Sequence, residues 1–305
     1  MTSTFDNLKQ SPRLARLQAL FDKKYGFSRD LIGRAMINFG PGWASDFEAV
    51  LNSLCADDEA LENALKGYAS FAIDSMRRQK RFETSRQYPN REYSVAARDV
   101  YFNDHYMMME YLPGLLLSHF LWPHHYRQLQ FFDSAFLAPM ALSTAPRFAE
   151  VGVGTGLYSR RILSRLSNAV GSGYDISPSS CAFAEHHMRV SGVDDRFTMF
   201  NSDLGTAEID AVNWLVCVEL LEHLEDPVRF LRGLREHLAP GGKAFITAAL
   251  NAAHADHIYL YSDAEEVRNH LQEAGFLLEQ FYVAAAYAPI KAGVPVPLAA
   301  AFVVY

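Results

Sequence analysis

The chain of 305 residues contains only three cysteines, Cys55, Cys181 and Cys217, which form no C-x-x-C pair and are odd in number. A disulfide framework is therefore excluded, no zinc signature is present, and a reducing compartment, the cytosol, is expected. Long apolar runs are also missing. The longest, Leu112 to Trp122, is too short and too interrupted to span a bilayer, and the polar start Met1 to Gln10 has no apolar h-region. Neither a membrane span nor a signal peptide is expected. Nor is there a basic excess: residues 1–140 hold 16 Lys+Arg against 16 Asp+Glu and residues 141–305 hold 12 against 19, so the whole net charge of −7 falls in the second part. Nucleic-acid binders present a basic face, so nucleic acid is not expected as a partner. The one basic cluster, Arg77, Arg78, Lys80 and Arg81 with Arg86 and Arg91, reads as a solvated helix end.

What is present is apolar material in ordinary globular proportion: 50% of the residues are hydrophobic and 13% aromatic, enough for a core that needs no metal or disulfide. From Ser11 to about Met140 apolar residues recur at three- and four-residue spacing, as in Leu14, Leu17, Leu20 and Phe47, Val50, Leu54. This part reads as about six helices, broken at Gly40-Pro41-Gly42, Tyr88-Pro89-Asn90, Pro113-Gly114 and Pro123. After Ala145-Pro146 the texture changes. Short apolar runs, Arg147–Val153, Ala169–Asp175, Phe197–Phe200, Ala211–Val218 and Lys243–Ala248, alternate with helical patterns, while Phe276–Ala284 and Ala299–Tyr305 have no helix between them. The fold class is therefore α/β: a doubly wound, mostly parallel sheet with an antiparallel pair at one edge and an N-terminal all-helical cap. Two domains are expected, 1–140 and 141–305.

The chemistry concentrates where the first strand meets its helix. Glu150-Val151-Gly152-Val153-Gly154-Thr155-Gly156-Leu157 has G-x-G-x-G spacing with an acid two residues before the first glycine. That departs from the G-x-G-x-x-G of dinucleotide-binding loops and disfavours a nicotinamide enzyme. The second strand ends at Tyr174-Asp175-Ile176-Ser177-Pro178, one βα unit on, where a carboxylate can accept both hydroxyls of a ribose. Asp175 also reads as a helix N-cap. The third strand leads into Asn201-Ser202-Asp203-Leu204, an acidic turn suited to an exocyclic amine or to plain turn chemistry.

These segments, with Val218-Glu219-Leu220-Leu221-Glu222-His223-Leu224 and Leu238-Ala239-Pro240-Gly241-Gly242, resemble the ordered motifs of class I S-adenosylmethionine-dependent methyltransferases over roughly residues 145–285. The resemblance implies S-adenosyl-L-methionine as cofactor, whether as methyl donor or as the substrate itself. It implies that Glu150, Gly152, Gly154 and Gly156 form the cradle for its methionine part and ribose, that Asp175 and Ile176 hold the ribose, that Asp203 and Leu204 frame the adenine, and that Glu219 and Leu220 stand at the mouth of the fourth strand. It also gives His223, with Asp226-Pro227 following, a structural role.

The acceptor is expected outside the carboxyl ends of the strands, against the cap. Asn251, His254 and His257 lie in a polar, aromatic loop there. In the helical part, Tyr101, Asp104, His105, Met108 and Tyr111 share one face if Tyr101 to Tyr111 is a helix; Tyr101 offers a ring to a sulfonium, and Asn103, Asp104 or Tyr106 a polar grip. The catalytic candidates are thus Tyr101, Asn103, Tyr106, His254 and His257, with the general base open among His254, His257, His105 and Tyr106. The pairs His124-His125 and His186-His187 lack a third ligand at usable spacing, and no metal is expected. The reaction read from this is methyl transfer to a small molecule. Alternatives are cyclisation of S-adenosylmethionine to azetidine-2-carboxylate and methylthioadenosine, which some enzymes of this fold perform, and a non-catalytic scaffold that binds the cofactor. A homo-oligomer through the helical part is compatible with the sequence.

Overall fold

A computed structural model describes residues 10–203, 210–289 and 293–305. The helical part contains α1 (Pro12–Lys24), α2 (Leu31–Leu54), α3 (Asp58–Ser85), α4 (Leu112–Leu121) and α5 (Pro123–Phe132), with shorter helical turns between them. The remainder alternates: β1 (Arg147–Val151), α6 (Leu157–Arg165), β2 (Val170–Asp175), α7 (Pro178–Val190), β3 (Phe197–Asn201), β4 (Val212–Cys217), α8 (Pro227–Glu236), β5 (Leu238–Leu250), α9 (Ala264–Glu273), β6 (Leu278–Ala285) and β7 (Leu298–Val304). Among the described residues the sheet has seven strands in the order β3-β2-β1-β4-β5-β7-β6, parallel from β3 to β5 and antiparallel on both sides of β7. This is the doubly wound sheet expected, with one adjustment. The last two strands do pair antiparallel, but β7 inserts between β5 and β6, so only β6 is an edge. No helix among the described residues is long and apolar enough to cross a membrane.

Two apolar clusters lie on opposite faces of the sheet, as period-2 alternation along the strands requires. Ala149, Val151, Leu215, Cys217 and Ile246 point to one face, where Leu231 and Leu234 of α8 and Val267 and Leu271 of α9 cover them. Phe148, Trp214, Val216, Phe245 and Val303 point to the other, in one cluster with Leu17, Phe47, Leu117, Phe120, Phe132 and Phe136. The N-terminal helices thus serve as a covering layer of the sheet itself, and residues on both sides of position 140 share a core. Arg161 of α6 reinforces this union: its guanidinium, 5% exposed, meets Asp133 Oδ2 at 2.5 Å and Asp46 Oδ2 at 2.8 Å, both carboxylates from the helical part.

The expected break at Pro113-Gly114 is not a break. A prolyl ring collides with the carbonyl four residues earlier in an α-helix. Here Met107–Tyr111 forms a π-helical turn, and the helical path runs on through Pro113 into α4. The Met109 carbonyl packs against Gly67 of α3, where a Cβ would stand 2.5 Å from it, and a Cβ on Gly114 would stand 2.3 Å from that of Phe71. Both glycines therefore serve close crossing of α3 and α4. At Gly40-Pro41-Gly42 the expected interruption is a kink inside α2, with Gly40 at φ 72°.

Replacing Arg161 by Ala removes the buried guanidinium at the seam between the helices and the sheet and leaves Asp46 and Asp133 with the more exposed Arg165 as their cation. The variant is expected to lose roughly 3 kcal/mol, read as a lower thermal midpoint in calorimetry, with Arg161→Lys restoring part of it; an unchanged midpoint would show that the seam is held by apolar packing alone.

Candidate active site

The loop after β1 turns into α6 through three glycines with positive φ, Gly152 at 72°, Gly154 at 52° and Gly156 at 70°. At Gly152 an added Cβ would fall 2.1 Å from Leu220 Cδ1, so the cradle is closed to any larger residue by backbone angle and by space alike. Asp175 at the end of β2 accepts from the Gly154 N–H at 2.9 Å and, through its other oxygen, from the Ser177 N–H at 2.9 Å. The N-cap of α7 is Ser177, whose Oγ accepts from the Ser180 N–H. Asp175 is thereby left to brace the glycine loop and to face the cavity with its remaining lone pairs. Burial pushes its carboxyl up, opposed by the N–H groups of Gly154, Ser177 and Ile176. Beneath the loop Glu150 is buried and accepts from both the backbone N–H and the hydroxyl of Ser159, with its carboxyl pushed up to about 8 by burial. His187, unassigned in the sequence, supports the loop from α7, its Nδ1 lying 2.9 Å from the Thr155 carbonyl oxygen.

A cavity of about 930 Å³ opens from this cradle. Its wall includes Glu150, Gly152, Gly154, Asp175, Ile176, Asp203, Glu219 and Leu220, so these expected cofactor residues converge on one space. Gly156 stays behind the loop, its α-carbon against Ala184 and Met188 of α7. Leu204, expected beside the adenine, lies outside the described residues. Glu219 sits after β4 in a left-handed conformation, φ 48°, held by Thr247: the Thr247 hydroxyl donates to Glu219 Oε1 at 2.7 Å and accepts from the Glu219 N–H at 2.8 Å. Burial raises the Glu219 carboxyl to about 7.

Away from the cradle the same cavity continues between helices and is lined by Phe27, Leu31, Tyr68, Phe71 and Trp122 with the imidazoles of His119, His124 and His254. Burial pushes His119 down to about 4 and His124 to about 3, so both rings are neutral. The catalytic candidates divide here. Tyr101, His254 and His257 line the cavity. Asn103 and Tyr106 do not, because Tyr101 to Tyr111 is not one helix: Ala97–Tyr101 is a π turn, the path breaks at Phe102-Asn103, and Asn103 caps the next turn by accepting from the Tyr106 N–H at 3.1 Å. Both residues face a separate polar hollow beside Asp74 and Arg78. The shared face proposed for Tyr101, Asp104, His105, Met108 and Tyr111 therefore dissolves; Asp104 accepts from Ser179 at 2.7 Å, Met108 is exposed, and Asn251 of the polar loop binds the Ser262 carbonyl instead of facing the cavity.

Sequence reasoning left one cluster unread. Tyr101 Oη and His223 Nδ1 are 2.9 Å apart, the Tyr111 hydroxyl donates to Asp256 Oδ2 at 2.6 Å, and His223, His254 and His257 form a row of rings with centroids 4.9 and 5.1 Å apart. Asp256 is fully buried; burial would raise its carboxyl, but His223, His257, His254 and the Tyr111 O–H together hold it at about 2. The signal that could have found this cluster was the density of His and Asp in the 254–257 loop, which the sequence alone does not place against His223.

Residues 149–244 match a family model described as a methyltransferase domain. Among curated proteins the chain is 33% identical over 141 residues to an uncharacterised protein of a Synechococcus strain, covering 44% of this chain and 30% of that one. It is 28% identical over 132 residues to a ubiquinone biosynthesis O-methyltransferase of Coxiella burnetii, covering 43% and 55%. The match thus spans between a third and about half of those relatives. A solved S-adenosylmethionine-dependent methyltransferase from Geobacter sulfurreducens, in complex with S-adenosylhomocysteine, shares 15% identity at TM-score 0.46 over 59% of this chain and 90% of that one.

If Asp175 both braces the loop and takes the ribose, Asp175→Asn should weaken S-adenosylmethionine binding by roughly 10- to 150-fold, the worth of one charged hydrogen bond, in titration calorimetry with unchanged folding. Equal affinity in variant and parent would remove the ribose role. The glycine cradle, the acid at the end of β2, the strand order and the matched domain agree: residues 149–244 are similar to a methyltransferase domain, the sheet has the class I methyltransferase fold, and S-adenosylmethionine is the cofactor.

Proposed function

We propose that the protein transfers a methyl group from S-adenosylmethionine to an oxygen of a small, largely apolar acceptor. The observation that carries this reading is the second lobe of the cavity. At about 930 Å³ the space lies near the top of the range for a single drug-sized ligand, roughly 300–1,000 Å³, and it extends well past the glycine cradle into the aromatic lobe of Phe27, Tyr68, Phe71 and Trp122. A pocket built only to cyclise its cofactor has no need of that lobe. The name O-methyltransferase carried by the Coxiella burnetii relative supports oxygen as the attacking atom.

S-adenosylmethionine supplies an electrophilic methyl on a sulfonium. The residues of this chain supply position, a dry setting and a proton acceptor. Aromatic faces order the acceptor and exclude water, and holding the two reactants in line is the larger part of catalysis in such a displacement. His254 stands in the lobe with a defined tautomer: the Ser75 hydroxyl donates to the Phe71 carbonyl at 2.7 Å, so at 3.3 Å it accepts from the His254 Nε2–H, and Nδ1 keeps its lone pair. Burial lowers the His254 pKa, which keeps the ring neutral and able to accept the acceptor's proton.

Incubation with S-adenosylmethionine alone should leave it intact, and adding small phenols and other hydroxylated aromatics should give S-adenosylhomocysteine and a methylated product by mass spectrometry. Methylthioadenosine with azetidine-2-carboxylate from the cofactor alone would overturn transfer in favour of cyclisation.

Glu219 gives the reading a pH signature. Its carboxyl, raised to about 7, is protonated below that pH and ionised above it, and only the ionised form attracts a cationic ligand. Affinity for S-adenosylmethionine should therefore rise from pH 6 to pH 8, and Glu219→Gln should flatten the profile in calorimetry. A slope surviving the substitution would assign the titration to another group.

A further inference from the structure

Beneath the row of histidines lies a buried carboxyl with no side-chain donor, only the backbone N–H groups of Ala249 and of Glu222 itself nearby. Glu222 is fully buried, and neither of its carboxylate oxygens has a hydrogen-bond partner. Its own carbonyl oxygen accepts from the N–H groups of Ile258 and Tyr259, both at 2.9 Å, which locks the 221–223 turn to the 254–258 loop and fixes the side chains around it. One ligand atom each of Glu222, His223 and His257 lies within 4.8 Å of the others.

The tautomers decide what that arrangement wants. His257 Nδ1 lies 2.8 Å from the Ala252 carbonyl oxygen, and His223 Nδ1 lies 3.2 Å from the Asp256 carbonyl oxygen. A carbonyl only accepts, so the His257 ring donates through Nδ1–H and keeps a lone pair on Nε2; His223 Nδ1 faces both the carbonyl and the carboxylate of Asp256, the latter at 3.4 Å, so it carries its proton there too, with the Tyr101 oxygen at 2.9 Å as a further acceptor. Ring N–H groups anchored to backbone carbonyls in this way are what orients histidines for metal binding. His223 Nε2 faces Glu222 Oε1 at 3.9 Å, too far for a shared proton. Two imidazole lone pairs thus stand beside a buried carboxyl that neither ring reaches with an N–H.

We infer that Glu222, His223 and His257 form a binding site for one divalent transition-metal cation. Two imidazoles and one carboxylate are a donor set that such cations take with coordination positions left open. Metal–ligand bonds of about 2.0–2.2 Å require the three atoms to close by less than about an ångström, within reach of small side-chain rotations. His223 and His257 line the cavity whereas Glu222 lies behind them, so the open positions face the acceptor lobe. An acceptor hydroxyl bound there loses its proton more readily, because a bound cation stabilises the oxyanion; His254, its ring 5.1 Å from that of His257, is placed to take that proton. This use of the metal rests on the methyl-transfer reading, but its presence does not. Residues 222 and 223 meet residue 257 only through the fold, so the three are not read as a group from their order in the chain.

The test uses the purified full chain, stripped with chelator and titrated with Co2+ without cofactor or acceptor. One equivalent should bind with a visible ligand-field spectrum, be displaced by Zn2+, and raise the thermal midpoint. Glu222→Gln and His257→Asn should each weaken Co2+ binding at least about 100-fold, beyond the 10- to 100-fold typical of outer-shell changes, while the circular dichroism spectrum stays that of the parent. Absence of a ligand-field band in the parent, or Co2+ binding of equal strength in both folded variants, would overturn the site. Because no methyl transfer is measured, failure of the transfer reading leaves these outcomes unaffected.

Discussion

Everything about this molecule follows from the sharing of one apolar core between the N-terminal helices and one face of the sheet. Phe148, Trp214, Phe245 and Val303 cannot be left to water, and the helices that bury them have their own rows of Leu and Phe to bury. The ion pairs of Arg161 with Asp46 and Asp133 fix the angle of that contact. The carboxyl ends of the strands therefore open under helices, and the cavity between them has a polar floor supplied by the loops of the sheet and an aromatic roof supplied by α3 and α4. That single packing constraint divides the cofactor cradle, on the sheet, from the aromatic lobe proposed for the acceptor, on the helices.

The division explains the electrostatics of the site. Carboxylates that the loops place under the roof lose hydration, and Glu150 and Glu219 respond with raised pKa values. Each is nevertheless held in place by hydroxyls, of Ser159 and Thr247 respectively. Histidines under the same roof are driven neutral, which suits them to accept protons or to bind a metal through their lone pairs. Glu222 is the exception that asks for a partner, since no side chain around it donates.

How much of this could be read from the sequence depends on the range of the interaction. Gly152, Gly154 and Asp175 were legible because backbone angle, close approach and a carboxylate at the end of a strand are local requirements that leave local traces. The seven strands were legible because short apolar runs set between helical patterns are local as well. The insertion of β7 between β5 and β6 was not, because pairing order is settled by contacts remote in the chain. Asn103 and Tyr106 lie outside the main cavity, and the face shared by Tyr101, Asp104, His105, Met108 and Tyr111 does not form, for a different reason: two π turns and a cap replace the continuous helix, and nothing in helical periodicity announces a π turn. The meeting of Glu222 and His223 with His257 was hidden by sequence separation alone, although each residue was in plain view.

The central claim is that cofactor and acceptor occupy different lobes of one cavity. The measurement that addresses it most directly is a crystal structure with S-adenosylhomocysteine bound. The account predicts the ribose hydroxyls on Asp175, the sulfur directed toward the row of histidines, and an open lobe beyond it bounded by Phe71, Trp122 and His254. A nucleoside that lies elsewhere, or side chains that close over the sulfur and leave no space for a second molecule, would contradict it.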